Sequence, residues 1–161
     1  MMFAHDVFSE TNPAFCTFAL AAFTTAFLKI KEEGPAVPTA YLALPVALSG
    51  ELAGTFGGTN KNTGLLEWLE RSPQVQLGLA ARVNASMSMV TEAIRFGCFA
   101  RVLLLDQSAR LKLGTTKAKG KALNGLGTAP AQSIKHAERL GYWFAMSGST
   151  RTVFDIMGLT L

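Results

Sequence analysis

The stretch that decides the fold lies near the C-terminus and reads Ala137-Glu138-Arg139-Leu140-Gly141-Tyr142-Trp143-Phe144-Ala145-Met146-Ser147-Gly148-Ser149. Its apolar residues recur at helical spacing, and Gly148 stands where a glycine often ends a helix. Successive Tyr142 and Trp143 point about 100° apart on a helix, so one core face cannot bury both unless the helix is covered on two sides. The stretch therefore predicts a long helix, opening at Thr128 and Pro130, that carries more aromatic surface than one contact can cover.

Helical signals also appear at the front of the chain. Asn12 precedes Pro13, which is typical of an N-cap followed by proline at the first helical position. Apolar residues then recur at three- and four-residue steps, which predicts a helix to about Lys31. The next apolar segment, Tyr41–Leu48, is β-permissive at its start and interrupted by Pro45, so its type stays open.

The middle of the chain predicts short helices leading into a hairpin. The glycine-rich stretch Gly54–Asn60 predicts a flexible loop. Arg101–Asp106 and Ala109–Leu113 flank Asp106-Gln107-Ser108, which predicts a strand, a tight turn and a second strand. The helices are expected from Asn62 or Thr63 to Arg71, from Ser72-Pro73 to about Asn84, and from about Ser88 to Phe99.

These elements predict a mainly α fold with a β-hairpin. Helix, helix and hairpin is the order of a winged helix, and the N- and C-terminal helices are expected to pack around it. We expect one domain over residues 1–161, with a basic hairpin and a mobile connector at about residues 101–127. A last short apolar turn is expected around Val153–Met157.

Composition points to a surface that partners cover. Of the 161 residues, 49% are apolar and only 16% are charged, whereas a typical soluble domain has about 25% charged residues. The longest apolar run, Ala14–Leu28, has fifteen residues, fewer than the roughly 20 that span a membrane. The segment before it holds Asp6 and Glu10 but no Lys or Arg, unlike a signal peptide. We therefore expect a cytoplasmic protein with an interface to fill and no membrane contact.

A cluster of cations lies on the predicted hairpin and on the loop that follows it. Twenty-one residues contain six cations and one acid, Asp106, and this local surplus of five exceeds the net charge of +4 of the whole chain. Three interpretations stay open: a solvated wing, sequence-independent contacts with nucleic-acid phosphates, or docking of an acidic protein surface. The cations are Arg101, Arg110, Lys112, Lys117, Lys119 and Lys121.

The residue patterns give little support to catalysis or cofactor binding. The stretch Gly114–Lys121 resembles a phosphate-binding loop, but its glycines are one residue too far apart and Ala122 replaces the Ser or Thr that binds Mg²⁺. His5 and His136 have no partner at metal-ligand spacing. We expect no catalytic residue, no cofactor and no metal.

Four large side chains are candidate anchors of a protein interface. Trp68, Arg139, Tyr142 and Trp143 belong to the residue types that dominate interface energetics. The alternative is that the aromatic side chains simply fill the core of this chain.

Five segments together resemble the middle component of ABC-three-component systems, in matching order over about residues 10–158. The resemblance implies a small non-catalytic adaptor between an SMC/Rad50-like ABC ATPase and an effector such as a nuclease, in bacterial conflict systems such as Lamassu anti-phage defence. The segments are Asn12–Cys16, Tyr41–Leu48, Thr63–Leu69, Thr91–Gly97, and Ala137–Ala145 with Gly148-Ser149-Thr150.

A different class of function competes with the adaptor. An autonomous winged-helix DNA-binding protein, such as a repressor, fits the order of the elements. Its reading helix should carry basic and polar side chains. Ser88–Phe99 offers only Arg95 with Thr91 and Glu92, which argues against base reading.

Overall fold

The computed structural model of the protein describes residues 12–117 and 127–161. Within these ranges a mainly helical fold carries one two-stranded antiparallel hairpin, as the sequence predicts. The order of a short helix, a longer helix and a hairpin is compatible with a winged helix. The helices are α1 Pro13–Ile30, α2 Val37–Leu48, α3 Leu65–Arg71, α4 Leu79–Ala85, α5 Met87–Phe99, α6 Thr128–Met146 and α7 Thr150–Ile156; the strands are β1 Leu103–Leu105 and β2 Leu111–Leu113; and Ala53–Phe56 and Pro73–Gln76 are 3₁₀ turns.

Helix α1 is the centre of the fold and begins as predicted. The Asn12 side chain accepts a hydrogen bond from the Phe15 amide at 3.1 Å, and Pro13 occupies the first turn. Ten of its 18 residues are buried, because α2, α5, α6 and β2 all pack around it. The Thr17 hydroxyl ties it to α5 by donating to the Ala93 carbonyl at 2.7 Å.

By length and composition, α1 also meets the criteria for a membrane span. It has 18 residues, three more than the apolar run identified in the sequence, and a mean hydropathy of 1.5. Of that window, 56% is buried inside the fold. The core helix of a soluble protein meets the same criteria, so they are weak evidence for a membrane contact.

The segment Tyr41–Leu48, whose type the sequence leaves open, lies within the helix α2. Nine of the twelve residues of α2 are buried, which is the pattern of a helix covered on every side. Pro38 lies in its first turn and Pro45 inside it. Burial of the whole helix outweighs the lost backbone hydrogen bond at Pro45, and this gain is invisible in local sequence preferences.

The next two helices begin at other residues than the sequence predicts. Helix α3 is capped by Gly64, with no side-chain hydrogen bond from Asn62 or Thr63. After Ser72 the chain makes only a 3₁₀ turn, and Gly78 in the left-handed region (φ +66°) separates it from α4. The single helix predicted to run to Asn84 is therefore two elements.

The hairpin lies at the predicted position, and the outer edge of β2 is covered. Leu104 pairs with Lys112, and the Asp106 carboxylate accepts the Ser108 and Arg110 amides at 2.8 and 3.0 Å, which fixes the turn. The Leu111 amide donates to the Pro35 carbonyl at 2.8 Å. The segment before α2 thus covers β2 and binds the hairpin to the helical core.

Helices α1 and α6 meet at a glycine. A Cβ atom on Gly141 would lie 2.3 Å from the Phe23 carbonyl oxygen and 2.9 Å from the Ala26 Cβ. The ring of Phe144 packs edge-on against Phe23, with centroids 5.6 Å apart. Gly148, at φ +107°, ends the helix as predicted. The glycine inside the deciding stretch lets the two longest helices pack backbone to backbone.

Candidate functional site

The end of α5 and both faces of the hairpin carry exposed apolar side chains, because Leu104 and Leu105 are successive residues of β1 and point to opposite faces. Five of the eleven large apolar side chains that are exposed among the described residues lie between positions 96 and 113. Phe99 is the extreme case, at 90% exposed. We call these five the hairpin surface: Phe96, Phe99, Leu104, Leu105 and Leu113.

Two of the hairpin cations that were candidates for contact with phosphates or an acidic partner form hydrogen bonds within the chain. The Arg110 guanidinium donates to the Gly34 carbonyl at 2.8 Å and lies 3.9 Å from the Glu33 carboxylate. The Lys112 ammonium donates to the Glu32 carbonyl. These two residues bind the hairpin to the loop between α1 and α2. Fewer of their N–H groups are therefore free to contact a partner than in a fully solvated hairpin.

The other hairpin cations are exposed or lie outside the described residues. Arg101 and Lys117 are exposed, and Arg101 adopts a left-handed backbone (φ +61°) between α5 and β1. Lys119 and Lys121 lie outside the described residues. The first residues of the predicted mobile connector are hydrogen-bonded to the chain, because the amides of Gly114 and Thr116 donate to the carbonyls of Val102 and Arg101 at 2.9 Å each. Residues 118–126 of the connector lie outside the described residues.

Two of the four candidate interface anchors are core residues. Trp68 and Trp143 are 0% exposed, with ring centroids 5.3 Å apart. Their indole nitrogens donate to the carbonyls of Thr55 and Asn60 at 3.2 and 2.9 Å. Both rings are buried and both indole nitrogens are hydrogen-bonded inside the chain, which favours the alternative that these aromatic side chains fill the core. Their contact with a partner stays a prediction.

The glycine-rich stretch is an ordered segment, contrary to the flexible loop that we predicted. Phe56 is 2% exposed and lies against the two tryptophans, with centroid distances of 5.0 Å to Trp68 and 5.9 Å to Trp143. The Arg139 guanidinium donates to the Phe56 carbonyl at 3.2 Å and to the Thr59 hydroxyl at 3.0 Å. Arg139 therefore holds this segment on α6, and its predicted role at a partner interface stays a prediction.

His136 completes the aromatic cluster as a neutral core residue. Its ring stacks on Phe56 at 4.1 Å with an interplanar angle of 8°. Burial, followed by the nearby charge of Arg139, lowers the pKa of His136 from 6.5 to about 4. The ring is thus uncharged near neutral pH, which the apolar stack requires.

Tyr142 is the one aromatic candidate that reaches the surface of α6. It is half-buried, and its hydroxyl accepts a hydrogen bond from the Lys29 ammonium at 3.2 Å. The Lys61 ammonium lies 5.7 Å from the centre of its ring, within the range of a cation–π contact. The hydrogen bond with Tyr142 raises the pKa of Lys29, so this ammonium stays charged.

A cleft opens beside this tyrosine. We call it the Tyr142 cleft; its volume is about 380 Å³. Its lining contains more cations than acids. The cleft could not be predicted from the sequence because the lining residues come from two distant parts of the chain. They are Asn60, Lys61, Lys135, Glu138, Arg139 and Tyr142.

Metal-ligating side chains do not gather in the described ranges. No group of three or more His, Cys, Asp or Glu residues comes together there. Cys16 is buried, and partial burial raises the pKa of the Cys98 thiol, which disfavours its thiolate.

One comparison with known proteins gives a match. The family model described as ABC-three component (ABC-3C) system Middle Component 3 matches residues 4–161, nearly the whole chain. No curated protein and no solved structure matches the chain.

Proposed function

The chain belongs to the ABC-three component (ABC-3C) system Middle Component 3 family, and on that premise we propose that it is a non-catalytic adaptor in a cytoplasmic anti-phage complex. As a middle component it works within a multi-component system. The proposed partners are an SMC/Rad50-like ABC ATPase and an effector such as a nuclease, which the adaptor holds together as in Lamassu-like defence.

The hairpin surface carries this proposal. Isolated exposed apolar residues are common on soluble proteins, but a concentration of them is typical of a protein interaction site. Phe99 at 90% exposed and Leu104 at 56% exposed have the size and exposure of interface anchors. The hairpin is also fastened to the core by Arg110 and Lys112, so a partner would meet a preorganised surface at a smaller entropic cost.

Exposed cations beside the hairpin surface favour a partner face with acidic residues. Arg101 and Lys117 are exposed at the open end of the hairpin, where the Thr116 amide donates to the Arg101 carbonyl. Charged groups at the rim of an interface raise the association rate and select the orientation more than they add affinity. We assign the ATPase to this surface.

The autonomous repressor receives less support. On α5, the helix that would read bases, the Arg95 guanidinium lies 3.2 Å from the Glu92 carboxylate. Its remaining exposed side chains include the apolar Phe96 and Phe99. A helix with this surface suits contact with protein better than contact with base edges.

The adaptor role can be tested by removing apolar area from the hairpin surface. The double variant Phe99→Ser, Leu104→Ser is expected to bind the ATPase at least about tenfold more weakly, a loss of about 1.4 kcal/mol. The matched control is Leu66→Ser, Leu77→Ser, because these side chains are 62% and 77% exposed on a different part of the molecule.

Affinities would be measured by titrating the labelled chain with the purified ATPase, and thermal melting would confirm that both variants fold. An equal loss in both variants, or none in either, would show that the hairpin surface does not dock the ATPase.

A further inference from the structure

The Tyr142 cleft has an unbalanced charge. Three cations line the cleft, a fourth contacts Tyr142 from outside the lining, and Glu138 is the one acid in the lining. In the described part of the chain, no carboxylate oxygen lies within 4.0 Å of any of these cations. The four are Lys29, Lys61, Lys135 and Arg139.

Tyr142 contacts two of these cations. Lys29 and Lys61 lie 32 positions apart in sequence; the Lys29 ammonium donates to the Tyr142 hydroxyl at 3.2 Å, and the Lys61 ammonium lies 5.7 Å from the centre of the ring. A bound anion would lower the mutual repulsion of cations gathered on one surface. The tyrosine therefore positions cations from two distant segments of the chain.

The cations suit phosphate contacts that need no fixed geometry. Three of the four are lysines, which bind phosphates as hydrated point charges. The one arginine, Arg139, already donates to Phe56 and Thr59. Lysines without rigid geometry are typical of contacts that neutralise a phosphate backbone without reading bases.

The cations extend beyond the cleft toward the hairpin. Lys29 and Lys117 line a neighbouring cavity of about 490 Å³, which shares Glu138 with the cleft. A single phosphate ion needs one site, whereas cations in two adjoining cavities suit a polymer with phosphates at regular intervals.

We propose that the Tyr142 cleft and the two lysines beside it, Lys29 and Lys117, bind the phosphodiester backbone of a nucleic acid without regard to sequence. This site does not use the hairpin cations Arg110 and Lys112, which donate to carbonyls within the chain. The adaptor role rests on the apolar hairpin surface and this site rests on the cationic cleft, so the two proposals can fail separately.

The test compares two triple variants of the full chain with equal charge. Lys29→Gln, Lys61→Gln, Lys135→Gln and the control Arg71→Gln, Arg95→Gln, Arg151→Gln each remove three exposed cations and lower the formal net charge from +4 to +1. Binding to two unrelated short DNA duplexes would be followed by fluorescence anisotropy between roughly 50 and 200 mM salt.

The lysine variant is expected to bind both duplexes at least about tenfold more weakly than wild type. Its log–log salt dependence should be shallower by up to about 2.7, or about 0.9 for each lost phosphate contact. The control should keep the wild-type slope. Tyr142→Leu, which leaves the net charge unchanged, should also weaken binding because Lys29 and Lys61 lose their contacts with the tyrosine; thermal melting checks that each variant folds.

Several results would overturn the inference. Equal losses in the two triple variants would mean that net charge alone attracts DNA. The absence of wild-type binding at the lowest salt would remove the site altogether. If polyglutamate displaced the duplex as well as unlabelled DNA of equal charge does, the cleft would be a docking site for an acidic protein segment.

Discussion

Replacing Gly141 by alanine tests the contact on which the fold depends. The added Cβ would lie 2.3 Å from the Phe23 carbonyl oxygen, a separation that real Cβ atoms do not reach, and backbone cannot rotate aside as a side chain can. Forcing α1 and α6 apart is expected to cost at the upper end of the overpacking range, about 3 kcal/mol. Alanine regains about 1 kcal/mol of helix propensity. The net loss should therefore be about 2 kcal/mol.

Thermal and chemical denaturation would measure this loss. For a chain of this size, about 2 kcal/mol corresponds to a fall in Tm of about 4–8 °C. Gly54→Ala is the matched control, since its new Cβ would meet no atom within 4 Å. A Gly141→Ala protein as stable as wild type would refute the close approach of the two helices.

Two further predictions concern single positions. The free energy of unfolding should fall as the pH drops from 6.5 to about 4, because His136 binds a proton more readily in the unfolded chain than in the folded chain, where its pKa is lowered. The variant His136→Phe should remove up to about 3 kcal/mol of that fall, which denaturation at several pH values would measure. Ala109 has a left-handed backbone (φ +58°), so Ala109→Gly should raise the stability by about 0.5–1 kcal/mol, and a loss in thermal melting would contradict the turn geometry.

Strong local signals predicted the main elements from sequence. The Asn12-Pro13 cap, the turn at Asp106 and the closing Gly148 all do in the structure what their local chemistry favours. Helix α2 and the Phe56 segment could not be predicted, because both are stabilised by partners far along the chain. One aromatic residue among glycines gives no local sign that it stacks on His136.

The candidate sites were less predictable than the elements. Arg110 and Lys112 looked like free cations because the carbonyls of Glu32 and Gly34 that bind them lie about 80 positions away. The Tyr142 cleft gathers Lys61, Lys135 and Arg139 only when the segment before α3 packs beside α6. Charge counting along the chain finds runs of cations, but it cannot find cations that tertiary packing assembles.

The most direct test of the adaptor proposal is reconstitution from three purified components. Size-exclusion chromatography with light scattering would be run on the ATPase and the effector of the same system, with and without this chain. We predict that ATPase and effector elute in one complex only when the chain is present. A stable ATPase–effector complex without it, or a chain that elutes alone from the mixture, would contradict the adaptor role.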